Sequence, residues 1–258
     1  MQKLETMLAR IQQILDQDPP RAEAAQRCQA SARTLAQRFP LVHRSVTAGG
    51  PRLSEILAAR KLIAKAACTA REVDCGIERV VYFFLGCGAF PEGVVAFLAN
   101  AAILETNPAT YTPFDTGSLE KHTCLREVDA SWNGPEKDAF LANYLGFGNE
   151  AVPFASEYVA AHFDRPSDYV RRQQRSEPDF PVYHGLVSTS GDRRAWSIEI
   201  QLHDDLGLEA RHLEAIILGE PDLLADIPDE LMESVVVAET EGSITATIHR
   251  IIAPEPIV

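Results

Sequence analysis

Three short runs of this sequence carry side chains that could do chemistry. In Leu41-Val42-His43-Arg44-Ser45-Val46-Thr47 an imidazole and a guanidinium stand side by side in a strand-like run; Ala48-Gly49-Gly50-Pro51 and an apolar-periodic segment from Leu53 to Ala67 follow. Successive side chains of a strand point to opposite faces, so His43 and Arg44 cannot both face a core or both face a cleft. Arg79-Val80-Val81-Tyr82-Phe83-Phe84-Leu85 holds a tyrosine in a β-branched and aromatic run closed by Gly86-Cys87-Gly88. Trp196-Ser197-Ile198-Glu199-Ile200-Gln201-Leu202 alternates, with Ile198, Ile200 and Leu202 on one face and Ser197, Glu199 and Gln201 on the other. A carboxylate at the centre of such a strand is costly unless it is solvated or in use. One reading puts this polar face in water; the other makes it a cleft with a carboxylate at its centre.

Several familiar chemistries are excluded. Gly86-Cys87-Gly88 lacks the third glycine and the acidic residue of a dinucleotide fingerprint, and no Gly-Lys-Ser/Thr of a phosphate loop occurs. The seven histidines are scattered, without His-Glu-x-x-His or zinc-type Cys/His spacing, so no metal site is expected. There is no Gly-x-Ser-x-Gly elbow. A formal charge of −13 argues against a general nucleic-acid binder, since phosphate neutralisation needs surplus Lys and Arg. Against that acidic background Arg165, Arg171, Arg172 and Arg175 lie close together, with Arg193-Arg194 just before the Glu199 strand. They read either as a solvated helix face or as the place where a phosphate-bearing substrate docks.

The elements that must position these groups follow from patterning. Leu4, Met7, Leu8, Ile11 and Leu15 form one helical stripe, Asp18-Pro19-Pro20 ends that helix, and Arg21 to Arg38 reads as a second. Residues 1–38 are thus expected to be a helical extension on a single α+β domain, 39–258. Gly93 to Ile103 reads as a helix, and residues 104–134 as a long irregular connection containing Tyr111 and Asp115-Thr116-Gly117. Helical patterns return at Glu136–Leu145, Ala155–Phe163 and Ser167–Arg175. After Pro181 strands are expected at Val182–Ser188, Ala195–Leu202, His212–Leu218, Ser234–Glu239 and Ser243–Ile252, the last two as a hairpin around Thr240-Glu241-Gly242. This segregation predicts an α+β fold with mixed or antiparallel sheets and surrounding helices. With 46% apolar and 24% charged residues the chain is globular, and no apolar run nears the ~18 residues that span a bilayer. Five cysteines without a Cys-x-x-Cys pair fit a reduced, cytoplasmic protein.

In the order of its features the chain resembles the ADP-ribosyltransferase superfamily, in particular its His-Tyr-Glu branch and the toxin-type transferases that modify nucleic acid. The corresponding residues are Val42-His43-Arg44-Ser45-Val46-Thr47 with the helix Leu53–Ile63, then Val81-Tyr82-Phe83-Phe84, then Ser197-Ile198-Glu199-Ile200-Gln201, within about residues 40–252. The resemblance implies NAD as substrate and Glu199 as the catalytic carboxylate, stabilising an oxocarbenium-like ribose. It implies His43 on the adenosine ribose, with Arg44 and Ser45 beside it, and Tyr82 against the nicotinamide, Tyr111 being the alternative. Arg171, Arg172 and Arg175 then serve the acceptor, which is nucleic acid or protein. A toxin or defence effector with a cognate inhibitor protein would fit. The Arg-Ser-Glu branch is imitated by Arg44, Ser188-Thr189-Ser190 and Glu199, but Ser190 and Glu199 are too close to lie on separate strands. This leaves open which of His43 and Arg44 faces the cleft; Ser45 and Thr47 on the His43 side favour His43. The contrasting expectation is a non-catalytic intracellular binding or regulatory protein that uses its helical N-terminus for partner contact.

Overall fold

The computed structural model describes residues 3–30, 40–45, 53–67, 69–86, 94–117, 141–163, 169, 197–209, 211–238 and 244–252. The fold is α+β. The helices are α1 (Lys3–Gln17), α2 (Pro19–Ala30), α3 (Leu53–Ala59), α4 (Ala70–Asp74), α5 (Ala151–His162) and α6 (Ile244–Ile252). The strands are β1 (Leu41–Ser45), β2 (Lys61–Leu62), β3 (Lys65–Ala66), β4 (Arg79–Leu85), β5 (Val95–Ala99), β6 (Ala109–Thr112), β7 (Gly146–Phe147), β8 (Glu199–Leu202), β9 (Leu206–Gly207), β10 (Leu213–Leu218) and β11 (Val235–Val237). Nine strands form one sheet in the order β11-β10-β5-β1-β4-β8-β6-β7, with β3 on β4; β2 and β9 pair separately. Every pairing is antiparallel except β10 with β11.

The amphipathic stripe of α1 is buried at Leu4, Met7, Ile11 and Leu15, all within the main apolar core. The second helix starts earlier than expected. Asp18 caps it, its side chain accepting from the Arg21 amide at 3.3 Å, and Pro19 and Pro20 fill the first turn, where no amide hydrogen is required. Arg21 then donates to the Ala160 and Phe163 carbonyls at 2.9 and 3.1 Å, tying α2 to the end of α5.

Four elements differ from the sequence reading. Val95–Ala99 is a strand, not part of a helix, and all five residues are buried because β5 lies inside the sheet between β1 and β10. The helix from Leu53 ends at Ala59, and two short strands follow it. The connection after Leu104 contains β6, so Tyr111 belongs to a strand. Ser243–Ile252 forms no hairpin; Ile244–Ile252 is a helix that buries Ile244 and Ile248, and β11 runs parallel to β10. None of the helices among the described residues is long and apolar enough to cross a membrane.

Register fixes which side chains share a face, because directly paired residues of antiparallel strands point the same way. The row Val42, Phe84, Glu199, Thr112 and the row Tyr82, Gln201, Thr110 lie on one face. The row Leu41, Leu85 and the row His43, Phe97 lie on the other, with Phe83, Ile200 and Tyr111. That second face receives α5: the Tyr111 and Phe154 rings meet at 5.0 Å. Gly146 of β7 leaves room for Tyr111, since a Cβ there would come within 2.2 Å of the ring.

Candidate functional site

Glu199 lies in the middle of the sheet and is buried, with 2% of its surface exposed. Two elements bring further acids to its face. The first is the one-turn helix α4, pinned at both ends. Thr69 and Glu72 make a reciprocal capping box: the Thr69 hydroxyl accepts from the Glu72 amide at 3.3 Å, and Glu72 Oε2 accepts from the Thr69 amide at 2.8 Å. At the other end the Gly76 amide donates to Val73 and the Ile77 amide to Glu72, a Schellman closure with Gly76 at φ +81°. These caps hold the fully buried Glu72 side chain against the sheet, where Tyr82 donates its phenol hydrogen to Oε1 at 2.8 Å. The second element is the turn after β6, which carries the buried residues Phe114, Asp115 and Thr116.

A continuous hydrogen-bond network joins these groups. The Thr116 amide donates to Glu199 Oε1 at 3.2 Å, and the Gln201 amide nitrogen donates to the same oxygen at 2.8 Å. Thr116 Oγ1 lies 2.5 Å from Glu199 Oε1 and 2.6 Å from Glu72 Oε1. Gln201 is held in turn: its amide nitrogen donates to Thr112 Oγ1 at 3.1 Å, and its carbonyl accepts from Thr110 at 3.0 Å. Thr112 spends its own hydrogen on the Phe114 carbonyl at 2.7 Å, so it can only accept from Gln201. Half-buried His203 closes the far end, with Nε2 3.0 Å from Thr110 Oγ1.

Electrostatics follow from this packing. Burial pushes the Glu199 carboxyl well above the ordinary carboxylate range, and the nearby charges of Asp115 and Glu72 push the same way. The bonds from Thr116 and Gln201 pull in the opposite direction. Burial lowers the His203 imidazole below its ordinary value, with Asp204 opposing. Among the described residues no group of three or more His, Cys, Asp or Glu side chains could hold a metal ion. A cavity of about 410 Å³ lined by Ser54, Leu57, Ala58, Arg60, Asp226 and Pro228 shares no residue with the network.

The expected site is only partly assembled. Glu199 and Tyr82 share a face and are linked through Glu72 and Thr116. His43 does not converge with them: it is on the opposite face, its ring 5.6 Å from Phe83 and 6.3 Å from Phe97. Its Nδ1 donates to the Tyr82 carbonyl at 2.8 Å, and burial lowers its pKa, so it is a neutral packing residue. Arg44 is the member of the pair on the Glu199 side, and it donates to Thr245 of α6 at 2.9 Å. Tyr111 points away from Glu199, which leaves Tyr82 as the tyrosine of that face. Ser45 ends β1 opposite Val95. Arg171, Arg172 and Arg175, like Ser188-Thr189-Ser190, lie outside the described residues.

Glu72, Asp115 and Thr116 had no place in the sequence-derived site. Thr69-x-x-Glu72 is a capping-box signature that marks a helix start and hence a fixed glutamate. Asp115-Thr116-Gly117 carries only a turn signal. No protein-family model matches the chain, and no curated protein matches it.

Proposed function

We propose that the chain is an NAD-consuming mono-ADP-ribosyltransferase with Glu199 as its catalytic carboxylate. The observation that carries this reading is the hydrogen-bonded cluster that Glu199, Tyr82 and Glu72 form on one face of the sheet. Cleaving the nicotinamide–ribose bond builds positive charge on the ribose, and a fixed, water-excluded carboxylate is worth most against such charge. Thr116 and Gln201 orient Glu199 for that task before any substrate arrives. Tyr82, half-buried at the other end of the network, offers a ring for the nicotinamide. His43 has no role in the reaction in this reading. The acceptor is a nucleic acid or a protein, and the chain acts in the cytoplasm as a toxin or defence effector.

The enclosure of Glu199, satisfied by the protein's own donors, favours a second reading as a non-catalytic binding protein in which the network fixes the fold. One experiment separates the two. Purified wild-type and Glu199→Gln protein are incubated with NAD and cell extract, following nicotinamide release and the mass of modified products. The transferase reading expects turnover that falls by about 100-fold or more in the variant. Equal NAD consumption by both would remove Glu199 from the chemistry.

A further inference from the structure

Thr116 is a single hydroxyl between two carboxyl oxygens, 2.6 Å from Glu72 and 2.5 Å from Glu199. A hydroxyl carries one hydrogen. If both acids were ionised, one oxygen would receive that hydrogen and the other would face a lone pair at the same short distance. One of the two contacts is therefore donated by a carboxylic acid. Glu72 is the better seat for the charge, because Tyr82 donates to its Oε1 at 2.8 Å while the Thr69 amide and hydroxyl donate to its Oε2 at 2.8 and 2.9 Å. Glu199 receives two N–H donors, from the Thr116 amide and Gln201, but its burial and the facing charges of Asp115 from the turn after β6 and Glu72 from α4 outweigh them and favour its neutral form.

We propose that Glu199, Thr116, Glu72 and Tyr82 form a relay holding one exchangeable proton, in which Glu72 is the resting anion and takes the proton when Glu199 ionises. Its use in catalysis rests on the transferase reading. In the step, Glu199 gives its carboxylic proton to Thr116 Oγ1 as the Thr116 hydroxyl hydrogen passes to Glu72 Oε1. One O–H bond breaks and one forms at each end of the hydroxyl, and the negative charge moves from Glu72 to Glu199 with no net change. On the transferase reading, a cationic substrate centre beside Glu199 would draw the charge to that side. Thr116 and Glu72 are thus positioning residues that set the ionisation of Glu199.

Infrared spectroscopy of the full chain reads the protonated carboxyl directly. Burial raises Glu214 to about 7, so spectra are recorded at about pH 8.5 and as differences from variants. Wild type is expected to show a carboxylic-acid carbonyl component there that is lost in Glu199→Gln and unchanged in Thr116→Ser. Thr116→Val should shift the band, and Glu72→Gln should make it titrate at lower pH, since the charge opposing ionisation is gone. No such band in wild type, or a band indifferent to both Glu199→Gln and Glu72→Gln, overturns the relay. A parallel rate–pH profile of NAD consumption should lose about 100-fold in Thr116→Val, with recovery in Thr116→Ser. If the bands behave as expected but NAD is not consumed, the transferase reading fails and the relay stands. If NAD is consumed without the band, the reverse holds.

Discussion

On one face of the central sheet His43 lies between Phe83 and Phe97, makes one bond to a backbone carbonyl, and belongs to a layer completed by Tyr111 and α5. On the other face Glu199 belongs to a chain of side-chain hydrogen bonds running from His203 to Tyr82. Both residues are polar, both sit in strands, and they are separated only by β4. What differs is the kind of energy that holds them. The His43 face is non-directional apolar packing in which an imidazole is tolerated neutral. The Glu199 face is directional, and each lost partner leaves another group orphaned at a cost of about 1–3 kcal/mol. A titratable group surrounded by donors and like charges is poised to change state; one surrounded by rings is not.

The largest expected effect breaks the comparison on its chemical side. On the transferase proposal, Glu199→Gln should reduce NAD turnover by about 100-fold or more while the fold survives. The amide oxygen can still accept from the Thr116 amide and from Gln201, so the loss of stability should be confined to the one hydrogen bond at Thr116 Oγ1 that the carboxyl proton made, about 1 kcal/mol. A collapse of stability together with activity would make Glu199 structural. On the packing side the roles reverse. His43→Ala removes a ring from between two phenylalanines and a bond to Tyr82, for about 2–3 kcal/mol of stability, with KM for NAD little changed. A large KM effect at unchanged stability would mean that NAD reaches the His43 face.

These two faces should also respond to pH in opposite senses. Folded Glu199 keeps its proton above 4.5, where the unfolded chain has released it, so stability falls as pH rises from 4.5 toward the raised folded value. Folded His43 refuses the proton that the unfolded chain takes up below 6.5, so stability falls as pH drops from 6.5 toward the lowered folded value. Each contributes a slope of at most about 1.4 kcal/mol per pH unit. Melts at about pH 5 and pH 8 should show Glu199→Gln losing less on the alkaline side than wild type. His43→Asn, which keeps a donor for the Tyr82 carbonyl, should lose less on the acid side. Identical pH dependence in all three proteins would refute the assignment of either group.

Much of this frame was legible in the residue pattern. The α+β class and the strands bearing His43, Tyr82 and Glu199 follow from alternation and β-branched content. Two of the four misread elements show where pattern runs out. Val95-Ala96-Phe97-Leu98-Ala99 is apolar throughout, so it has no period to separate a doubly buried strand from a helix. Ile244-Thr245-Ala246-Thr247-Ile248 alternates apolar residues with threonines like a strand, yet Ile244 and Ile248 also stand four apart, and packing on β10 selects the helix. The partners that surround Glu199 were hidden for a different reason. Glu72 and Thr116 lie 127 and 83 positions before it, and only the sheet brings them together.

The smallest effect sharpens the comparison by touching the polar face indirectly. Gly76 closes α4 at φ +81°, and a Cβ there would meet nothing within 4 Å. Gly76→Ala therefore tests backbone strain without a packing clash, at a cost of about 1 kcal/mol. The strained bonds are the Schellman pair that ends the helix holding Glu72. Tyr82 and Thr116 hold the same carboxylate from the sheet side, so Glu72 should stay in place and the substitution should lower the thermal midpoint while leaving NAD turnover within about twofold. A loss of turnover well beyond the loss of stability would mean that the Schellman closure, rather than the sheet, sets the Glu72 position. The polar face would then depend on α4 much as the apolar face depends on α5.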